Sequence, residues 1–145
     1  MMEQYRISPE ARPPLMPTLL KCTPILHVDA IEPCLPFWTE RLGFQVTVQI
    51  AAGEALGFAI LAKDGVEVMY QTRAAAAREL GDPGRVPETR GTMLFIEVDD
   101  ISAVEQALTG IHQHVPRRLT FYGAEELFVY EPGGNLVGFA QMRGV

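Results

Sequence analysis

The chain has 145 residues, of which 48% are hydrophobic and 21% charged, and its net charge is −6. This profile is that of one globular domain with a sizeable core, and it excludes a mainly disordered chain. The acidic balance and the presence of only two lysines argue against nucleic-acid binding through phosphate contacts, and they fit a neutral or cationic small molecule better.

The first 20 residues hold four prolines and little periodicity, which predicts an extended arm that either frays or lies across a partner subunit. Residues 21–72 then predict one module. Asp29 is predicted to cap a helix that ends at Gly43. Strands are predicted on either side of that helix, over residues 23–28, 44–50, 57–62 and 66–71.

The second half repeats this order. Residues 73–91 predict a linker with a short alanine-rich helix ended by Gly81, which serves as a connector or as a lid over a ligand. Residues 92–142 predict a second module, with Asp99 or Asp100 as the helix cap. Its strands are predicted over 92–98, 115–122, 126–130 and 136–141. An offset of 70 residues superimposes strand, cap, helix and hairpin without a gap, which indicates an internal repeat.

The expected compartment is the cytoplasm. The longest apolar stretches are too short to cross a bilayer, and the beginning of the chain lacks a basic head followed by an apolar block. Cys22 and Cys34 form neither a CxxC pair nor a disulfide framework, so both are expected to be reduced and mostly buried.

Three segments carry a resemblance to a known family: His-Val-Asp at 27–29, Pro-Phe-Trp-Thr-Glu-Arg-Leu-Gly-Phe at 36–44, and Tyr-Glu-Pro-Gly-Gly-Asn-Leu-Val-Gly-Phe at 130–139. Over residues 21–142 the chain resembles the vicinal oxygen chelate superfamily of glyoxalases, bleomycin-resistance proteins and extradiol dioxygenases. The last turn departs from the usual pattern, because Glu131 and Gly133 replace aspartates. The resemblance implies a single α+β domain in which two βαβββ modules form curved sheets around a cup, often completed by a second subunit.

Enzymes of this superfamily commonly hold one divalent metal with His or Glu side chains from four strand positions. The resemblance maps these positions to Thr23, Val68, Met93 and Gly138. None of the four offers the imidazole, carboxylate or thiolate that a divalent ion requires. We therefore expect no metal. The sequence also shows no nucleophile triad and no phosphate-binding glycine loop, so we expect no catalytic residues and no cofactor.

Side chains alternate along a strand, so the four mapped positions predict which neighbours share the cup. His27 and Glu97 are candidate hydrogen-bond anchors or an acid and base, or else they are solvated strand ends. Phe95 and Tyr70 are candidates for stacking on a ligand, and Trp38 is favoured as a core residue. The predicted ligand-binding cup consists of Thr23, Ile25, His27, Val68, Tyr70, Met93, Phe95, Glu97, Gly138 and Ala140.

The preferred function is therefore a metal-free, bleomycin-resistance-like protein. It is expected to be a homodimer that binds a small aromatic or cationic molecule in its cup and sequesters a toxic compound. The first alternative is a cofactor-independent lyase or isomerase that uses His27 with Glu97 or Tyr70 for proton transfer. A metal-dependent glyoxalase or dioxygenase ranks third, and a domain used only for dimerisation or regulation ranks fourth.

Overall fold

The computed structural model describes residues 16–88 and 92–144. Most of the predicted arm lies outside these residues, and residues 16–20 carry no helix or strand. The eight strands are β1 Ile25–Val28, β2 Gln45–Ala52, β3 Ala55–Lys63, β4 Val66–Thr72, β5 Met93–Glu97, β6 Gln113–Leu119, β7 Ala124–Tyr130 and β8 Leu136–Met142. The helical elements are a 3₁₀ turn Glu32–Cys34, a π-helical turn Phe37–Arg41, helix α1 Arg73–Leu80, a 3₁₀ turn Pro83–Arg85 and helix α2 Ile101–Ala107.

The strands form two four-stranded sheets with the same topology. Sheet 1 has the order β1-β4-β3-β2, and sheet 2 has the order β5-β8-β7-β6. In each sheet the first and last strands of the module are parallel and the other pairs are antiparallel. The predicted α+β fold of two βαβββ modules is confirmed. No helix among the described residues has the length and apolar character needed to cross a membrane.

The helix caps are confirmed in one module and wrong in the other. The Asp100 side chain accepts from the backbone N–H of Ala103 at 3.2 Å and begins α2, as predicted. Asp29 does not cap the first helical segment, which begins at Glu32 without a side-chain cap. Asp29 instead lies on the surface and pairs with Arg73 at 3.7 Å. The observed cap position is Ile31, two residues later than the sequence pattern predicted.

The linker helix α1 is confirmed. The Thr72 side chain accepts from the backbone N–H of Ala75 at 3.1 Å, and Gly81 follows the helix in a left-handed conformation with φ of 85°. Ala76 is fully buried, so one face of α1 packs on the protein. This anchoring holds α1 across one end of sheet 1, where it contacts β1, β3 and β4.

One hydrophobic core joins the two modules. Leu26 and Trp38 of the first module share it with Leu127 and Phe139 of the second. The Arg41 side chain adds polar contacts across the junction, because it donates to two backbone carbonyls at the end of α2. Each sheet therefore turns one face towards a shared core and the other face away from it.

The two modules differ in register at their parallel strand pairs. In sheet 1, Ile25 pairs with Met69, 44 residues later. In sheet 2, Met93 pairs with Leu136, 43 residues later. A constant offset of 70 residues therefore fails at the last strand of the module. A shift of one residue moves every side chain of a strand to the opposite face, so this difference decides which residues of β4 face the cup.

Candidate functional site

The face of sheet 1 turned away from the core forms one half of the candidate site. Ile25 and His27 lie on this face, opposite Met69 and Gln71 in the parallel pairing. Thr23 precedes β1 in the same alternation, and its hydroxyl donates to Glu67 at 3.2 Å. Ile25 is 43% exposed, whereas His27 is buried. Three of the predicted cup residues are thus brought together on this face.

The corresponding face of sheet 2 holds the other predicted cup residues. Phe95 pairs with Gly138, and Glu97 pairs with Ala140, so these four side-chain positions share a face with Met93. Met93 is 60% exposed and Phe95 is 52% exposed. Exposed large apolar groups on one sheet face mark a surface that binds something else. His27 and Glu97 lie on different sheets, on β1 and β5 respectively.

Val68 and Tyr70 were assigned to the wrong face. Both are buried, and both belong to the core shared by the modules. The Tyr70 hydroxyl accepts from Trp38 Nε1 at 2.9 Å and donates to Glu131 at 2.5 Å, so it has no access to a ligand. Burial, followed by the negative charge of Glu131, raises the pKa of Tyr70 above its ordinary range. Tyr70 is therefore unsuited to proton transfer, and Trp38 is a core residue as favoured.

The expectation that Gly138 leaves room for a ligand is also wrong. A Cβ atom added to Gly138 would lie 2.4 Å from Cε2 of Phe128. The Phe128 ring therefore covers Gly138 and fills the space that a larger side chain would need. Phe128 pairs with Gly138 across β7 and β8, and this packing could not be seen from the strand alternation alone.

The positions that the resemblance assigns to a metal do not fit one. With the observed register, Met69 replaces Val68 on the cup face, so the four positions hold Thr23, Met69, Met93 and Gly138. A hydroxyl and two thioethers are poor ligands for a divalent ion. Within residues 16–88 and 92–144, no group of three or more His, Cys, Asp or Glu side chains is placed to hold a metal ion.

A chain of polar side chains crosses the cup face of sheet 1. His27 Nε2 lies 3.2 Å from Gln71 Oε1, and Gln71 Nε2 donates to Glu79 Oε2 at 2.7 Å. Because the Gln71 amide donates to Glu79, its oxygen points at His27, so Nε2 of the imidazole is the donor in that contact. The sequence analysis missed Gln71 because the constant offset of 70 residues placed Tyr70 on this face instead. It therefore also missed Glu79 of α1, the hydrogen-bond partner of Gln71.

A second polar cluster lies at the edge of sheet 2. The Glu126 carboxylate is almost fully buried, and it accepts from Tyr122 at 2.5 Å and from Arg118 at 3.1 Å. The hydrogen bond to Glu126 raises the pKa of the Tyr122 hydroxyl. Glu126 pairs with Ala140, which puts it on the cup face. Alternation of side chains across the β7–β8 hairpin, counted from Gly138, could have placed Glu126 on the cup face. The sequence analysis instead favoured a solvated strand edge for Glu126.

Two of the cavities that the described residues form have the volume of a ligand site. The larger, of about 450 Å³, lies between Arg41 and Lys63 of the first module and the start of α2, and Glu97 is the cup-face residue among those that line it. The second, of about 310 Å³, lies where sheet 1 ends against α1, and it includes the cup-face residues Phe58 and Gln71. We assign the second cavity to the candidate site because Gln71 and Glu79, which line it, belong to the chain of polar side chains on sheet 1.

The arrangement defines a class of fold rather than a reaction. No known family model matches the sequence, and no curated protein matches it. Among solved structures, the chain is similar to a glyoxalase/bleomycin resistance protein/dioxygenase from Nocardioides, with 17% identity, a TM-score of 0.66, and coverage of 88% of this chain and 87% of that one. It is also similar to a lactoylglutathione lyase from Agrobacterium tumefaciens, with 13% identity, a TM-score of 0.67, and coverage of 86% and 95%.

A third similar structure is a bleomycin-binding protein in complex with bleomycin, with 20% identity, a TM-score of 0.60, and coverage of 85% of this chain and 98% of that one. These likenesses confirm, at the level of fold, the resemblance seen in the sequence. The chain has the glyoxalase/bleomycin-resistance fold. Because the similar proteins include both a binding protein and a lyase, the fold does not select a function, which must be argued from the site.

Proposed function

We propose that this chain is a metal-free member of the vicinal oxygen chelate superfamily that binds a small aromatic or cationic molecule. Its cup is completed by a second copy of the chain, and its role is to sequester a toxic compound. Small-molecule binding agrees with the bleomycin complex of a similar structure. The cytoplasmic location expected from the sequence belongs to the same proposal.

The observation that carries the proposal is the apolar face of sheet 2. Phe95 and Met93 are each more than half exposed there, beside the small residue Ala140. Groups of this kind bury an aromatic ligand through area and ring stacking. Within residues 16–88 and 92–144 Met93 and Phe95 remain exposed on this face, which supports a second copy as the missing wall.

The charges favour a cationic over an anionic ligand. Glu97 lies on the same face and forms no ion pair with any described residue. The chain as a whole carries a net charge of −6. A carboxylate beside an aromatic ring attracts an organic cation through both groups.

The test is a thermal-shift screen of flat aromatic compounds, half of them cationic, followed by calorimetry of any compound that binds. A ligand at 100 times its Kd should stabilise the protein by about 2.7 kcal/mol. Phe95→Leu keeps an apolar side chain but removes the ring, and Phe95→Tyr is the matched control that keeps it. Weaker binding by Phe95→Leu but not by Phe95→Tyr is expected. A screen without any binder, or equal binding by both variants, would contradict the proposal.

The dimer is tested separately, by sedimentation of the full chain over a range of concentrations. A species of twice the chain mass is expected, and Met93→Glu should shift the equilibrium towards the single chain. A chain that sediments as a monomer at every concentration would leave the cup incomplete and remove this part of the proposal.

A cofactor-independent lyase or isomerase is the second candidate, and one observation favours it. His27 is buried and held in one orientation by Gln71, as a proton-transferring imidazole requires. If a turnover is found, His27→Gln should abolish it while leaving the melting temperature within a few degrees. Retained turnover in that variant would exclude the role.

A further inference from the structure

The cavity at the end of sheet 1 is built from the first module and the linker helix that follows it. It has a volume of about 310 Å³ and lies between the end of β2, the beginning of β3 and helix α1. Ile50 and Phe58 form an apolar wall on one side. Arg78 and Glu79 of α1 line it on the other, together with Gln71. The volume falls within the range of small-molecule sites.

Helix α1 is fixed against the sheet at this point. A Cβ atom added to Gly57 of β3 would lie 2.8 Å from Cβ of Ala52 and 3.3 Å from Cβ of Ala75. Helix and sheet thus approach as closely as two small residues allow. The hydrogen bond from Gln71 Nε2 to Glu79 Oε2, at 2.7 Å, ties the far end of α1 to the same sheet. The cavity wall is therefore held in place before a ligand arrives.

Opposite charges line the cavity without neutralising each other. Arg78 and Glu79 are exposed, and neither forms an ion pair with a described residue. Adjacent residues of a helix do not face each other, so the two groups reach the cavity from different directions. Gln71 uses one carboxylate oxygen of Glu79 and leaves the other for a ligand.

We propose that this cavity is a ligand subsite for a flat aromatic molecule that carries both an amine and a carboxylate. The ring packs on Ile50 and Phe58, the ammonium group binds Glu79, and the carboxylate binds the guanidinium of Arg78. This inference rests on the proposed function and narrows its ligand class from aromatic or cationic to zwitterionic. It also gives the linker helix a role in recognition as well as in connection.

The test uses one ring with three charge patterns: tryptophan as the zwitterion, tryptamine as the cation and indole-3-propionate as the anion. Calorimetry measures their binding to the full chain and to Glu79→Gln and Arg78→Gln. The glutamine at 79 keeps an acceptor for Gln71, so this variant removes charge alone. Glu40→Gln, on the exposed surface of the π-helical turn, is the control for the change in net charge.

Tryptophan is expected to bind the full chain more tightly than either single-charge probe. Glu79→Gln should weaken tryptophan and tryptamine about two- to fivefold and leave indole-3-propionate unchanged, as for partly exposed ion pairs. Arg78→Gln should weaken tryptophan and indole-3-propionate and leave tryptamine unchanged. Glu40→Gln should change none of them. Backbone amide shifts confined to α1, the end of β2 and the beginning of β3 would place the probe in the cavity.

Absence of binding by all three probes, or equal effects of both α1 variants on every probe, would overturn the subsite. Failure of the subsite is distinguishable from failure of the proposed function. If Phe95→Leu weakens a compound from the wider screen while the α1 variants do not, the cup binds ligand and the subsite is wrong. If no compound binds at all, both are wrong.

Discussion

Removal of one hydroxyl group tests the junction between the modules. The Tyr70 hydroxyl is fully buried, accepts from Trp38 Nε1 at 2.9 Å and donates to Glu131 at 2.5 Å. Glu131 is itself buried, and it also accepts from Gly133 N and from both the backbone and the side-chain nitrogen of Asn135. Tyr70→Phe leaves the buried indole N–H without its acceptor and takes one of four donors from a buried carboxylate.

The magnitude follows from these two losses. A buried donor without a partner costs about 1–3 kcal/mol, and a hydrogen bond to a charged group contributes about 1.5–3 kcal/mol. Because Glu131 keeps three donors, we expect a total loss of about 3 kcal/mol in the free energy of unfolding. For a domain of this size, such a loss lowers the melting temperature by roughly 6–12 °C.

Urea unfolding followed by Trp38 fluorescence measures the effect, since this is the only tryptophan in the chain. Tyr130→Phe is the matched control, because Tyr130 is 49% exposed and its ring contacts His114. The control should change stability by less than about 0.5 kcal/mol. If the two variants are equally stable, the junction between the modules is not stabilised by the hydrogen bonds that join Trp38, Tyr70 and Glu131.

Three further outcomes are expected. Gly138→Ala should lower the free energy of unfolding by about 1–3 kcal/mol, because its Cβ would clash with the Phe128 ring. Phe128→Leu should restore most of that stability, and urea unfolding of the single and double variants measures both effects. A thiol reagent at pH 8 should label the exposed Cys22 quickly and the buried Cys34 only on unfolding. Burial, followed by the charge of Glu131, raises the pKa of Cys34 to about 12, so this thiol stays protonated. Rapid labelling of both cysteines would contradict the burial of Cys34. The pKa of Glu125 is lowered by Arg117 and Arg143, so the contribution of this carboxylate to stability is present above its unfolded pKa and is lost as the pH falls through its folded pKa. The melting temperature of Glu125→Gln should therefore be below that of the parent chain at pH 7 and approach it in acid. A difference in melting temperature that stays constant with pH would refute this.

The sequence predicted the architecture because the architecture depends on local signals. Strand alternation, a cap such as Asp100 and a helix stop such as Gly81 are each encoded within a few residues. These signals recur in both halves, so the order of the elements was indicated twice. All eight strands are observed, with bounds that differ from those predicted by two residues or fewer at most ends and by three at the end of β6. The expectation that Cys22 is buried was wrong, because it precedes the first strand and lies on the surface.

The site was harder to predict because it depends on how strands align with each other. Whether Tyr70 or Gln71 faces the cup is decided by the pairing of β1 with β4, which no local pattern in either strand records. The two hairpins differ in length: Lys63 pairs with Val66 across two residues, whereas Tyr130 pairs with Leu136 across five. An internal repeat therefore predicted the number and order of strands and failed for the register of one of them.

The observed pairing of β1 with β4 changes which residue of β4 occupies the position that the resemblance assigns to a metal ligand. Moving from Val68 to Met69 replaces one poor ligand with another, so the mismatch with a divalent ion survives the correction. The same shift moves an aromatic hydroxyl out of the cup and brings the amide of Gln71 in, next to His27 and Glu79. Sheet 1 thus presents hydrogen-bonding and charged groups beside Ile50 and Phe58, whereas sheet 2 presents the exposed ring of Phe95. A ligand of the proposed subsite must combine a flat apolar body, which packs on Ile50 and Phe58, with polar groups at one end, and this is the chemistry that the indole series compares.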